Sequence, residues 1–228
     1  MIISFDPDRI RDRLDIDYHG GFFTHLDALC HVVYDGLIYN GHDFRETVTA
    51  DGCTHLGITG LKAGIVTKAV LVDVPRLRGV PYLEPGTRVY REDIEAWEQE
   101  AGVTVSPGDV IFVRTGRWAR RAELGPWQIS NSSAGLHASV LPWIKDRGVA
   151  FVGSDAATDV MPSMVEGIRQ PVHTMLIAGF GTNIFDNMDL EALADRAAQE
   201  NRWEFMITAG PIPVEGGTGS PLNPIAIF

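Results

Sequence analysis

Cations are scarce in this chain. Against 30 acidic residues stand 19 lysines and arginines, a formal net charge of −11 with a pI near 5.0. Nucleic acid and anionic membrane surfaces both demand clustered cations, so neither is an expected partner. Cysteine is scarcer still: Cys30 and Cys53 alone give neither a disulfide framework nor a zinc-ribbon pair. No apolar run approaches the ~20 residues of a membrane-spanning helix. The opening MIISFDPDRIRDRLDID is too charged for a secretory leader, and the expected location is cytoplasmic. Repeats, low-complexity runs and linkers rich in Gly, Ser or Pro are absent too, so residues 1–228 are expected to form one domain. Two glycine-rich stretches lack the frames that would give them meaning. GITGLKAG (57–64) is no dinucleotide fingerprint, and GGTGSP (216–221) has no strand–GxxxxGK–helix context and reads as a tight turn.

What the chain does have is an alternation of short apolar runs with helical patterns. KAVLVDV (68–74), DVIFVRT (109–115), GVAFVGSD (148–155) and WEFMITA (203–209) have the length and β-branched content of buried strands. REDIEAWEQEAG (91–102) places acids in its first turn and Gly102 at its end, a helix with a C-cap. LHASVLPWIKDRG (136–148) is helical up to Gly148, with Pro142 marking a kink or a later start. DLEALADRAAQEN (189–201) carries one apolar face. This rhythm predicts an α/β fold. The first sixty residues and the ending GGTGSPLNPIAIF break it, and such irregular segments around a regular scaffold are where sites are often built.

The densest chemistry lies in DYHGGFFTHLDALCHVVYDG (17–36). His19, His25, Asp27 and His31 fall within thirteen residues, in a chain with seven histidines. In extended backbone His25 and Asp27 point to one face, while Leu26 and Ala28 point to the other. His31 stays beside Asp27 whether the strand continues or a helical turn begins, since i, i+4 neighbours share a helix face. Imidazoles with a carboxylate suit a borderline divalent cation such as zinc, manganese or iron. Phe22, Phe23 and Tyr34 flank the cluster, as core residues or as the wall of an apolar pocket.

THLDALCH (24–31) resembles the signature H-x-G-T-H-x-D-x-P-x-H of the metal-dependent cyclase family, which includes bacterial kynurenine formamidase and isatin hydrolase. PGDVIFVRTGR (107–117), DRGVAFVGSDA (146–156), PVHTMLIAG (171–179) and the C-terminal GGTGSPLNPIAIF extend the resemblance, in order, over most of the chain. The resemblance implies a swivelling β/β/α fold, and hydrolysis of a formyl amide or cyclic amide at a zinc or manganese centre. It makes His25 and Asp27 metal ligands and His31 the proton donor and acceptor. It also implies a homodimer or homotetramer acting on a small-molecule amide.

The chain departs from the pattern at two points. The family's first histidine falls on Gly21, and Leu29 stands where the motif has proline. LIAGFGTNIFDN (176–187) holds no glutamate of the kind that bridges two metals in some relatives. One divalent ion, Zn or Mn, is therefore expected. His25 and Asp27 would hold it, with either His19, displaced by two residues, or His173 as a third ligand. A degenerate homologue that binds without turnover, and a cyclase that closes a ring with loss of water, are the alternatives.

Overall fold

A computed structural model of the chain describes residues 2–6 and 9–228, with side chains from residue 12 onward. Ile2–Asp6 and Arg9–Arg13 pair antiparallel as a hairpin. Eight later strands build one sheet: β1 (His25–Asp27), β2 (Ile65–Asp73), β3 (Val110–Arg114), β4 (Phe151–Ser154), β5 (Asn183–Asp186), β6 (Glu204–Ala209), β7 (Gly219–Pro221) and β8 (Ile225–Ile227). Their order across the sheet is β7-β1-β5-β4-β3-β2-β6-β8.

The centre of the sheet is parallel. Val110 of β3 lies opposite Ala69 of β2 and Phe151 of β4, and Phe151 lies opposite Asn183 of β5. Strands of this kind are covered on both faces, so they read as unbroken apolar runs rather than alternating ones. Ala69–Val72 and Val110–Val113 are indeed fully buried. Phe112 meets Phe185 edge to face at 5.7 Å, locking β3 against β5. The flanks are antiparallel: β1 on β5, β7 on β1, β6 on β2 and β8 on β6.

Helices α1 (Arg91–Ala101), α2 (Arg117–Leu124), α3 (Leu141–Asp146) and α4 (Glu191–Glu200) occupy the connections. α1 stops at Gly102, whose φ of +65° is the left-handed cap that its sequence foretells. Its Trp97 donates to the Leu71 carbonyl at 2.8 Å and packs edge-on against Trp203. The 136–148 segment takes the later-start option. Pro142 sits in the first turn of α3, where its missing N–H costs nothing, after a tight turn over Ala138–Val140. The segment Pro171–Phe180 winds from an α-turn at Pro171–His173 into wider π-type turns. The mixed α/β architecture agrees with the α/β fold expected from the sequence.

One sequence reading needs correction. Cys30 and Cys53 are joined as a disulfide, their Cα atoms 6.7 Å apart. Two cysteines 23 residues apart carry no pairing signal of their own. The hairpin Val48–Cys53 folds back onto the chain just past β1 and brings them together.

Candidate metal centre

The parallel strands all point their carboxyl ends the same way, and that is where the polar residues gather. Asp186 ends β5, Asp155 follows β4, and Arg117 opens α2 just beyond β3. β1 runs antiparallel to β5 in a register that sets His25 directly opposite Asp186. The alternation of side chains along a strand then puts Leu26 in the core, wholly buried, and His25 and Asp27 on the site face.

Asp27 is the hub. His19 Nδ1 lies 3.1 Å from its Oδ1, His25 Nε2 3.5 Å and His31 Nε2 3.9 Å. On the far side His173 Nε2 is 3.9 Å from Oδ2. Burial would raise the Asp27 carboxyl, but the imidazoles around it, His19 first, outweigh that and hold it at about 2. His25 and His19 are each oriented by a bond at the other ring nitrogen. His25 Nδ1 donates to the Phe23 carbonyl at 2.9 Å, leaving Nε2 as the lone pair that faces Asp27. His19 Nε2 contacts Thr218 Oγ1 at 2.9 Å. The His19 and His31 rings stack at 3.9 Å with their planes 3° apart. Burial lowers the His31 pKa, against an opposing pull from Asp27.

The fit to a cation can be judged from unmatched atoms. Buried His19 Nδ1 and Asp27 Oδ1 have no hydrogen-bond partner among the described residues, because their 3.1 Å approach is misaligned for one. Orphaned polar atoms cost free energy in a buried site unless something else engages them. Ligand atoms of His19, Asp27 and His31 lie within 4.8 Å of one another, and so do those of His25, Asp27 and Asp186. Borderline nitrogens with a hard carboxylate are what zinc and manganese take.

His173 is placed otherwise. Its Nδ1 meets Asp159 Oδ2 at 2.6 Å and its Nε2 meets Asp186 Oδ2 at 2.9 Å. Burial opposes protonation here, but Asp186 and Asp159 together raise its pKa well above the ordinary 6.5. Asp159 also accepts from the backbone N–H groups of Val172 and His173, and Thr158 Oγ1 donates to Asp186 Oδ1 at 2.7 Å. Asp186 corrects a second sequence reading. The 176–187 segment has no glutamate, but it does deliver a carboxylate to the cluster.

A further set of residues carries the backbone of the site. Arg117 is buried and donates Nη1 to Asn187 Oδ1 at 2.5 Å and to the Asp155 carbonyl, and Nη2 to the Gly21 carbonyl. Asn187 Nδ2 donates to the Gly20 carbonyl at 3.0 Å. Both carbonyls of the Gly20–Gly21 link are thereby gripped, which fixes the approach of His19. A Cβ on Gly21 would stand 2.8 Å from Ile129 Cδ1, the tip of a flexible side chain, so a histidine here would require Ile129 to shift. Asp155 anchors the bracket in turn, accepting from the N–H groups of Thr115, Gly116 and Arg117 at the start of α2. Sequence reading missed Arg117, Asn187, Asp155, Asp159 and Asp186. The GSD and NIFDN stretches, each a polar break at the end of an apolar run, were the available signal.

The pocket over the cluster measures about 280 Å³. Its walls include Val32, Ile129, Ala157 and Met161, rather than the flanking aromatics. Phe22 and Phe23 are exposed outside it, and Tyr34 lines a separate apolar groove.

The family model described as Putative cyclase matches residues 3–159 of the chain. This protein belongs to the cyclase family. A crystal structure of a novel cyclase superposes with a TM-score of 0.87 at 32% identity, covering 98% of this chain and 75% of that one. An isatin hydrolase bound to the product analogue thioisatinate gives 0.65 at 19% identity, over 99% and 79%. A predicted metal-dependent hydrolase from Bacillus stearothermophilus gives 0.59 at 18%, over 99% and 84%. At those lower identities the likeness is one of fold. A comparison with curated proteins returned no match.

Proposed function

We propose that this cyclase-family chain is a metal-dependent hydrolase that cleaves the C–N bond of a formyl amide or a cyclic amide. The observation that carries the reading is the convergence of His19 Nδ1 and Asp27 Oδ1, both buried and unmatched, with His25 Nε2 at the floor of a pocket. His19, His25 and Asp27 would hold one zinc or manganese ion, both imidazoles approaching Asp27 Oδ1, although the triads already within 4.8 Å are His19–Asp27–His31 and His25–Asp27–Asp186. His19 is favoured over His173 as the third ligand, since both ring nitrogens of His173 are already engaged by aspartates. When bound, such an ion supplies a water with a pKa near 7 and polarises a carbonyl.

The chain's own residues supply the rest. His31 faces Asp27 from the open side of the pocket, its side chain 31% exposed, so it can reach both water and substrate. In this reading His31 takes a proton from the attacking water and returns it to the departing nitrogen. Without that proton an amine leaves very slowly. Ile129, Met161 and Val32 shield the reacting carbonyl from bulk solvent. The cavity, at about 280 Å³, suits a substrate of one small ring or less. The likeness in fold to an isatin hydrolase supports the same class of reaction.

The test is elemental analysis of protein purified without chelator, followed by a turnover panel of formyl amides, lactams and esters. One metal per chain and turnover on an amide are expected. Two metals per chain would bring Asp186 and His173 into the ligand set. No metal after reconstitution with Zn²⁺ or Mn²⁺ would end the hydrolase reading.

A further inference from the structure

One charged side chain in the pocket has no task in the chemistry above. Arg169 is the single permanent cation among the lining residues, which also include Ser130, Gln170 and the histidine–aspartate cluster. Many of the chain's arginines meet carboxylates, as expected where acids outnumber bases. Arg78, Arg91, Arg114, Arg120, Arg147 and Arg196 each do. Arg169 meets none among the described residues. It is exposed, and its Nη2 donates to the Ser130 carbonyl at 3.0 Å. That hydrogen bond holds one end of the guanidinium at the pocket wall. A guanidinium has five N–H donors, so most remain for a ligand.

The loop that carries Arg169 is held in shape. Ser163 Oγ donates to the Ile168 carbonyl at 2.7 Å and accepts from the Val165 N–H at 3.3 Å. On the other side the Gln170 carbonyl accepts from the N–H and the hydroxyl of Thr174 at 3.0 and 2.8 Å. The guanidinium is thus presented by a braced loop. A forked, planar donor of this kind matches a carboxylate in two parallel hydrogen bonds, which a lysine cannot do. A chain of net charge −11 repels anions at long range, so a local cation at the pocket is what an acidic substrate needs. Ile129, Ala157 and Met161 line the same pocket and offer apolar surface for a ring or short chain.

We infer that Arg169 is the specificity determinant of this pocket and binds a carboxylate carried by the substrate, so that the preferred amides are acidic ones. The assignment rests on the hydrolase reading, with the acid group held at the wall while the amide lies over the cluster.

The test uses metal-reconstituted full-length protein and two probes that differ by one group: N-formylanthranilate, which bears a carboxylate, and formanilide, which does not. The acidic probe should show a kcat/KM about ten- to a hundredfold higher, the scale of a hydrogen bond to a charged group. Arg169→Gln should erase that preference through KM and leave formanilide unchanged, while Arg169→Lys should keep part of it. In parallel, benzoate and benzamide are titrated into the metal-loaded protein by calorimetry. Benzoate should bind at least about tenfold more weakly to Arg169→Gln than to the unmodified chain, with benzamide unaffected. Equal benzoate affinity in both proteins, or equal loss on both formyl probes, would overturn the assignment. Should neither probe be hydrolysed while benzoate binding still depends on Arg169, the hydrolase reading falls and the anion site stands. Hydrolysis of both probes without any dependence on Arg169 removes the anion site and leaves the hydrolase reading in place.

Discussion

Two buried constellations meet at Asp27, and they follow opposite rules. On one side His19, His25 and His31 turn nitrogens toward the carboxylate, and two of the facing atoms have no hydrogen-bond partner among the described residues. On the other side Asp159, His173 and Asp186 form a chain in which both imidazole nitrogens and all four carboxylate oxygens are matched. A matched buried ion pair is framework: removing one partner leaves a stranded charge. An unmatched set is a receptor, stable in this form only because the rest of the fold holds it. In the proposed reading the contrast separates residues available to a ligand from residues that brace, although both kinds are histidines and aspartates around one pocket.

The largest expected effect tests both halves at once. Asp27→Ala should reduce metal affinity by several orders of magnitude, and Asp27→Asn nearly as much, since an amide oxygen is a poor substitute for a carboxylate. In excess chelator both variants should lose some stability, because the imidazoles that hold the Asp27 carboxyl at about 2 favour its charge in the folded state, but less than the loss of a fully matched pair would cost. Asp159→Asn should do the reverse, costing about 3–5 kcal/mol of folding free energy with metal affinity close to normal. Competition with a chelator gives the first quantity and urea denaturation the second. Parallel losses in both assays for both residues would dissolve the distinction.

Within the receptor half, His31→Ala should keep its metal and lose about 10²- to 10⁴-fold in kcat on the best amide of the panel. His25→Ala should lose metal first and activity as a consequence. If His31→Ala empties the site as His25→Ala does, His31 is a ligand and not a proton carrier.

Smaller effects should come from the bracket under Gly20–Gly21. Asn187→Ala or Arg117→Lys should weaken metal binding about ten- to a hundredfold by loosening His19, the usual scale for groups one step behind a ligand. Adding His19→Ala to either variant should then cost little more. Full additivity of the two changes would mean that the bracket does not act through His19.

The smallest signal is electrostatic. His173 has a folded-state pKa raised well above 6.5, so its protonation stabilises the fold. That contribution is complete below about 6.5 and is lost as pH climbs through the raised value. Metal-free protein should therefore melt at progressively lower temperature as the pH rises above 6.5, and Asp159→Asn should flatten the trend. A melting temperature that increases over this range would contradict the imidazolium assignment.

How much of this could be read in advance depends on the length of the signal. β2 and β3 were legible because strands covered on both faces must be apolar throughout, and α1 because Gly102 closes it. β5 was not. It is four residues long, and both its ends are polar for reasons that only the fold explains: Asn183 Nδ2 donates to the Asp27 carbonyl at 2.7 Å, and Asp186 engages His173. α2 was hidden by its three arginines, of which Arg117 is buried for the sake of the Gly21 carbonyl. The site divides in the same way. His19, His25, Asp27 and His31 sit within one short stretch, so spacing alone could group them. Asp155, Asp159, Asp186 and Thr218 come to the site from segments that only the sheet brings together.

The bracket formed by Arg117 and Asn187 grips two carbonyl oxygens, and a carbonyl is the same on every residue. It is therefore blind to which side chain the gripped positions carry. A lineage could move its first histidine along this stretch without rebuilding anything beneath it: one substitution adds an imidazole at 19, another removes the one at 21, and Ile129 then fills the space released. A metal-site motif with a fixed spacing would pass over any chain that had taken this route.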